Sequence, residues 1–234
     1  EIRGLSNSKP KTTISLGAYM TIENLDKIFQ PESVAVIGAS EKKESIGRAL
    51  IENLVNSEFS GDVFAVNPNH DRVQDFKSYR KISDIPGAVE LAVVAIPISK
   101  VPTIISECVD AGVKSAIIIS AGGKETGPEG QKLEAQIKEN ARRGGLRIIG
   151  PNSMGIICPG NHLNASFAAH MASDGNLAFI SQSGAICTAI LDLSIQENIG
   201  FSYFVSLGDM LDVDFGDLID YVGNDSQVKS VLLY

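Results

Sequence analysis

Two short stretches carry residues able to seat an anion. Gly38-Ala39-Ser40 follows the apolar run Val34-Ala35-Val36-Ile37, and a helical pattern opens soon after with Ile46-Gly47-Arg48-Ala49-Leu50. Ser181-Gln182-Ser183-Gly184-Ala185 stands in the same relation to Leu177-Ala178-Phe179-Ile180. Both read as strand, glycine turn, helix start. The unpaired N–H groups and dipole of a helix start favour negative charge, and the serine hydroxyls add donors. A tight turn that packs a helix on a sheet, with nothing bound, uses the same residues. Lys42 and Lys43, between the first turn and its helix, suit phosphate charge. Taken singly, each is an ordinary solvated loop lysine.

The elements that must position these turns follow from hydrophobic periodicity. Strands are expected at 34–37, 63–66, 91–96, 115–120 and 146–149, and helices at 21–29 (Thr21 as cap), 45–57, 99–111 and 127–143. Gly112 reads as a helix terminator and Pro128 suits a first helical turn. The strands are near-continuous apolar runs, which fits a parallel sheet covered on both faces. Their carboxyl ends carry Gly38-Ala39-Ser40, Asn67-Pro68, Pro97, Ser120-Ala121-Gly122-Gly123 and Gly150-Pro151-Asn152. Ligands of open α/β sheets bind at that edge.

Residues 153–174 change character. They read as a loop-like connection, although Ile156-Ile157-Cys158 is apolar. Beyond them come strands at 177–180, 201–206 and 230–234 and helices at 185–196 and 214–222. The expected organisation is therefore an extension or linker over 1–20, a first α/β domain over 21–152, a connection over 153–174, and a truncated second α/β domain over 175–234. Its three strands make a thin sheet with an open edge. The opening Glu1, the Ser, Lys, Thr and Gly-rich 1–19 and a strand that stops at Tyr234 are read as marks of a fragment, with Met20 a candidate start. Residues 1–19 lack the apolar core of a signal peptide.

Bulk composition narrows the ligand. The 234 residues are 44% hydrophobic and 21% charged, as in water-soluble globular chains. No apolar run approaches the ~20 residues of a membrane span. A formal net charge of −8 argues against a general nucleic-acid binder, so a polyanionic ligand needs a local site. Cys108, Cys158 and Cys187 lack C-x-x-C spacing and read as reduced, buried thiols. No metal-ligand spacing stands out. Nicotinamide dinucleotides are the usual guess for a first glycine turn. Here Gly38 has no glycine partner until Gly47, and the second strand ends in Val66-Asn67-Pro68-Asn69, with no acid for a ribose hydroxyl before Asp71.

Five motifs in order, Pro31-Glu32-Ser33-Val34-Ala35-Val36-Ile37-Gly38-Ala39-Ser40, Val66-Asn67-Pro68, Ile119-Ser120-Ala121-Gly122, Gly150-Pro151-Asn152 and Ser181-Gln182-Ser183-Gly184-Ala185, resemble the NDP-forming acyl-CoA synthetases. These are relatives of the succinyl-CoA synthetase alpha subunit. The resemblance covers residues 25–234. It implies a Rossmann-like CoA-binding domain followed by part of a flavodoxin-like ligase domain. It also implies acyl-CoA formation from a carboxylic acid, CoA and ATP or GTP, through an acyl phosphate and a phosphohistidine.

Carried over, Gly38, Ala39, Ser40, Lys42 and Gly47 would line the CoA phosphates. Val66, Asn67 and Pro68 would flank the nucleotide end. Ile96, Pro97, Ser120, Ala121 and Gly122 would guide adenine or pantetheine, and Asn152 would lie near the thiol. Ser181, Gln182, Ser183, Gly184 and Ala185 would take the phosphate or phosphohistidine. Two departures stand out. Relatives often carry a lysine after Val-Asn-Pro, where this chain has Asn69, His70 and Arg72. None of His70, His162 and His170 sits in a Ser-His-Thr-Gly setting, so the phosphohistidine is expected beyond Tyr234. ATP and Mg2+ would act through an absent ATP-grasp domain or beta subunit. The expectation is thus a cytoplasmic, oligomeric ligase of which this piece holds CoA and is inactive alone. A CoA-sensing regulatory module of a fused acetyltransferase is the alternative.

Overall fold

The computed structural model describes residues 22–234; the 1–20 extension and the Thr21 cap lie outside the described residues. After a single helical turn, α1 (Asp26–Phe29), the chain enters β1 (Ser33–Ile37), which is buried along its whole length. Ser45 caps α2 (Ile46–Asn56), its Oγ accepting from the Arg48 N–H at 3.4 Å. Then come β2 (Asp62–Val66), the short β3 (Arg72–Val73) and β4 (Phe76–Tyr79), β5 (Leu91–Val94), α3 (Val101–Asp110) and β6 (Ser115–Ile118). The long α4 (Pro128–Gly144) starts on proline and stops at Gly145 in the left-handed conformation, before β7 (Arg147–Ile149).

These strands form one sheet in the order β3-β4-β2-β1-β5-β6-β7. All neighbours are parallel except β3 and β4, an edge hairpin absent from the sequence reading. The chain runs outward from β1 to β2 and β4, then returns to β5 and continues to β6 and β7. The reversal leaves a crevice above β1 and β5, where the covering helices part to opposite faces. Alternation along β1 shows why both faces are apolar. Val34 and Val36 pack with Ile28, Phe29, Leu50 and Leu54, whereas Ala35 and Ile37 pack with Ile105, Cys108 and Ile137.

The second sheet corrects the sequence reading. Residues 153–174 contain β8 (Gly155–Cys158), β9 (Leu163–Ser166) and the start of β10 (Ser173–Ser181). After these come α5 (Gly184–Glu197), β11 (Gly200–Ser206), α6 (Phe215–Gly223) and β12 (Ser230–Leu233). The strand order is β12-β10-β11-β8-β9, five strands rather than three, with β8 and β9 antiparallel and covering one edge. The stretch looked like a loop because β9 buries polar residues. Asn164 and Ser166 satisfy each other, Ser166 Oγ donating to Asn164 Oδ1 at 2.6 Å.

The two sheets are not separate bodies. One continuous core joins Leu25, Phe29 and Leu50 of the first to Ile156, Ala165, Tyr203 and Leu218 of the second. Phe29 stands edge-on to Tyr203 (ring centroids 5.4 Å apart) and stacks on Tyr221 at 5.0 Å. Asn53 of α2 donates to the carbonyls of Ser166 and Ala168 at 2.8 and 2.9 Å. Arg147 at the start of β7 reaches Asp212 at 2.9 Å and Asp217 at 2.7 Å. These contacts hold the two sheets against each other.

Candidate functional site

Gly38 ends β1 with φ +94°, and a Cβ there would strike the Ala95 carbonyl and come within 2.9 Å of Ile96. Its missing side chain thus lets the β1 turn lie against the β5 tip. Gly47 acts likewise: a Cβ there would strike the Gly38 carbonyl, so only glycine brings the first turn of α2 down onto β1. The two glycines thus set the height of the helix start above the sheet. Between them, the loop is a built turn. The Lys42 N–H donates to Ser40 Oγ at 3.1 Å, Ser45 Oγ donates to the Lys42 carbonyl at 2.7 Å, and the Lys42 side chain is exposed.

Across the switch point lies a cavity of about 480 Å3. Gly38 from β1, Val66, Asn67 and Pro68 from β2, and Ile96 and Pro97 from β5 line it, six of the fourteen expected CoA residues. Asn67 joins two of these tips, its Nδ2 donating to the Ala39 carbonyl at 2.8 Å while its Oδ1 accepts from the Asn69 N–H at 2.9 Å. This amide stands where a dinucleotide-binding sheet would place a carboxylate for ribose. Arg80, Lys81 and Lys100 also line the cavity, and sequence reading missed all three. No motif marks them, because only the folding of β4 and α3 brings them to the same rim.

The remaining expected residues lie along the rim outside this cavity. Ala39 and Gly47 are buried, Ser40 is half-buried and Lys42 is exposed, all in the turn and first residues of α2. Ser120 Oγ donates to the Ile96 carbonyl at 2.5 Å, tying the β6 tip to β5. Ala121 and Gly122 follow it, with Gly122 at φ +108°. Asn152 donates its N–H to the Ser120 carbonyl at 2.8 Å and keeps an exposed side chain.

From there the chain crosses to the second sheet. Gly150 donates to the Leu207 carbonyl at 3.1 Å, and Leu207 donates to the Ser181 carbonyl at 2.8 Å. One line of hydrogen bonds thus runs from the β6 tip to the β10 tip. At its end Ser183 caps α5, its Oγ accepting from the Ile186 N–H at 3.3 Å, and Ser181 Oγ accepts from the Ser183 N–H at 3.0 Å. Gln182 and Ala185 are exposed and Ser183 and Gly184 partly so. This turn is a helix start open to solvent beside the rim.

Carboxylates of Glu125, Glu134 and Asp209 converge within 4.8 Å of one another at the junction. Two are already engaged by backbone: Glu125 accepts from the Gly122 N–H and Glu134 from the Lys124 N–H, both at 2.7 Å. Asp209 Oδ2 is buried without a hydrogen bond. Burial first, and the Glu125 charge second, push its pKa above the usual carboxylate range. The thiols are poor nucleophiles here. Burial raises Cys108 to about 12 and Cys187 to about 11, and pushes Cys158 upward as well.

The family described as CoA binding domain matches residues 32–159, and the succinyl-CoA ligase like flavodoxin domain matches 174–234. The alpha subunit of acetate–CoA ligase (ADP-forming) II from Pyrococcus furiosus is 43% identical over 210 residues, covering 90% of this chain and 46% of that protein. An ADP-forming acetate–CoA ligase of Methanocaldococcus jannaschii is 42% identical over 90% of this chain and 29% of its own length. The solved structure of a Ca. Korarchaeum cryptofilum acetyl-coenzyme A synthetase in complex with phosphate and ADP superposes with a TM-score of 0.86 at 38% identity, over 90% of this chain and 45% of that one. The chain therefore spans about half the length of its alpha-subunit relative. The chain thus belongs to the CoA binding domain family, with a succinyl-CoA ligase like flavodoxin domain following it.

Proposed function

We propose that this chain is the CoA-holding portion of an NDP-forming acyl-CoA synthetase. The observation that carries the reading is the cavity at the switch point, lined by three strand tips and three cations in an acidic protein. Its donor set suits a nucleotide with phosphates: backbone at Gly38, apolar walls from Ile96 and Pro97 for a base, and cations at the mouth. Ser40, Lys42 and the α2 start would take the diphosphate. Ser120, Ala121, Gly122 and Asn152 would lead pantetheine toward the Ser181 turn.

In the complete enzyme a carboxylic acid is activated as an acyl phosphate. The CoA thiolate attacks its carbonyl carbon, a C–S bond forms, and the C–O bond to phosphorus breaks, the oxygen leaving with its electron pair on phosphate. This chain contributes placement of the thiolate, and the Ser181-Gln182-Ser183-Gly184-Ala185 turn holds the departing phosphate at the α5 dipole. The phosphohistidine, ATP and Mg2+ belong to segments or a partner outside this chain. The word subunit in the relative's name supports an ATP-grasp partner. Three free, buried cysteines fit a reducing compartment such as the cytoplasm. Calorimetric titration of the 234-residue chain with CoA and with NAD tests the reading. It expects saturable binding of CoA and none of NAD; binding of NAD alone overturns it.

A further inference from the structure

We propose that Arg80 and Lys81, with Lys100 across the mouth, form the seat that reads the 3′-phosphate of the CoA nucleotide. The inference rests on the CoA reading above and names the part of the site that recognises this one group. Asn67 donates its N–H to the Tyr79 carbonyl at 2.9 Å, which sets the tip of β4 beside the tip of β2. Arg80 and Lys81 follow directly, and both line the cavity. Lys100 lines it from the far side, at the start of the ten-residue α3, whose dipole adds to the same positive field.

Charge makes the arrangement selective. The chain carries a formal net charge of −8, yet this one cavity is lined by three cations against a single acid, Glu107. Among the described residues, none of Arg80, Lys81 and Lys100 is engaged in an ion pair. Unneutralised cations at the mouth of a half-enclosed cavity raise the potential there, which a monoester dianion satisfies better than a diester does. Arg80 brings a planar fork matched to phosphate oxygens, and Lys81 and Lys100 bring point charges.

The loop after Pro68 adds Asn69 and no cation to the cavity lining. It offers Asn69 and His70 in place of a lysine, and the Asn69 N–H is already spent on Asn67 Oδ1 at 2.9 Å. The cations of this cavity come from the β4 tip and the start of α3, not from the β2 loop.

The test compares CoA with dephospho-CoA, which lacks only the 3′-phosphate, by calorimetry on the full chain. Two charge-assisted hydrogen bonds to an exposed phosphate correspond to about 10–100-fold in affinity. The wild type is expected to prefer CoA by that factor. The R80A/K81A double variant is expected to lose the preference, its affinity for CoA falling to its own affinity for dephospho-CoA. Both side chains are exposed, so an unchanged melting temperature certifies the variant's fold. H70A is expected to keep the full preference. A wild type that does not discriminate, or a double variant that still does, overturns the proposal and leaves the CoA reading intact. A wild type that binds neither nucleotide overturns both.

Discussion

Arg147 clamps the two sheets together, and its removal tests how much that clamp stabilises the fold. Its side chain is only 12% exposed, and its guanidinium spans Asp212 at 2.9 Å and Asp217 at 2.7 Å. The partners differ. Asp212 is 31% exposed and also accepts from the Ile148 N–H, so it keeps a donor when the arginine goes. Asp217 is 13% exposed and belongs to the capping box of α6. Arg147→Ala therefore removes the cation from both carboxylates but leaves each a backbone donor, the Ile148 N–H for Asp212 and the Asp214 N–H for Asp217. Breaking a buried pair costs about 3–5 kcal/mol, and the backbone donors left to both carboxylates place this site at about 3 kcal/mol.

A loss of that size lowers the melting temperature by about 6–12 °C in a chain of this length. The pH dependence supplies the sign. Burial already raises the Asp217 pKa above its ordinary value despite Arg147, and removing the cation raises it further. A carboxylate whose folded pKa exceeds its unfolded one destabilises above the folded pKa, and that penalty fades as pH falls through it. Urea unfolding of wild type and variant should thus show the full deficit at neutral pH and a smaller one below the ordinary carboxylate range. A deficit under about 1 kcal/mol at neutral pH, the size of a surface pair, or one that grows on acidification, would refute the clamp.

Other substitutions probe the rest of the rim. Gly47→Val should destabilise by about 2–3 kcal/mol and weaken CoA binding, because α2 must lift off the Gly38 carbonyl; chemical unfolding and calorimetry together check it. Asp209→Asn should raise neutral-pH stability by on the order of 1 kcal/mol, since an unpaired buried carboxylate oxygen is replaced by a donor among carboxylates. That gain should vanish in acid, where wild-type Asp209 is itself protonated; a loss of stability at neutral pH would contradict it. All three cysteines should resist alkylation at mildly alkaline pH while folded and react once unfolded, as thiols raised to about 12 and about 11 at Cys108 and Cys187 require; mass spectrometry counts the adducts.

The first sheet was legible because its strands obey one rule. Val34 to Ile37, Leu91 to Val94 and Ser115 to Ile118 are buried on both faces and read as unbroken apolar runs. The edge hairpin escaped notice because Arg72, Lys77 and their neighbours face water and its strands are two and four residues long. The strands β8 and β9 escaped for the opposite reason. Asn164 and Ser166 are buried polar residues whose pairing is visible only in three dimensions. The two glycines were legible as a turn that packs a helix on the sheet, since a Cβ at Gly38 or Gly47 would strike a neighbouring carbonyl. Arg80 and Lys81 could not have been found by motif, because a strand pairing, not a spacing, delivers them to Asn67.

The most direct measurement is a crystal structure of this chain grown with CoA. The account predicts the adenosine end seated above the carboxyl ends of β1 and β5, against Ile96 and Pro97, with pantetheine running past Asn152 toward the Ser181 turn. CoA found on another face, with that crevice empty, would contradict it.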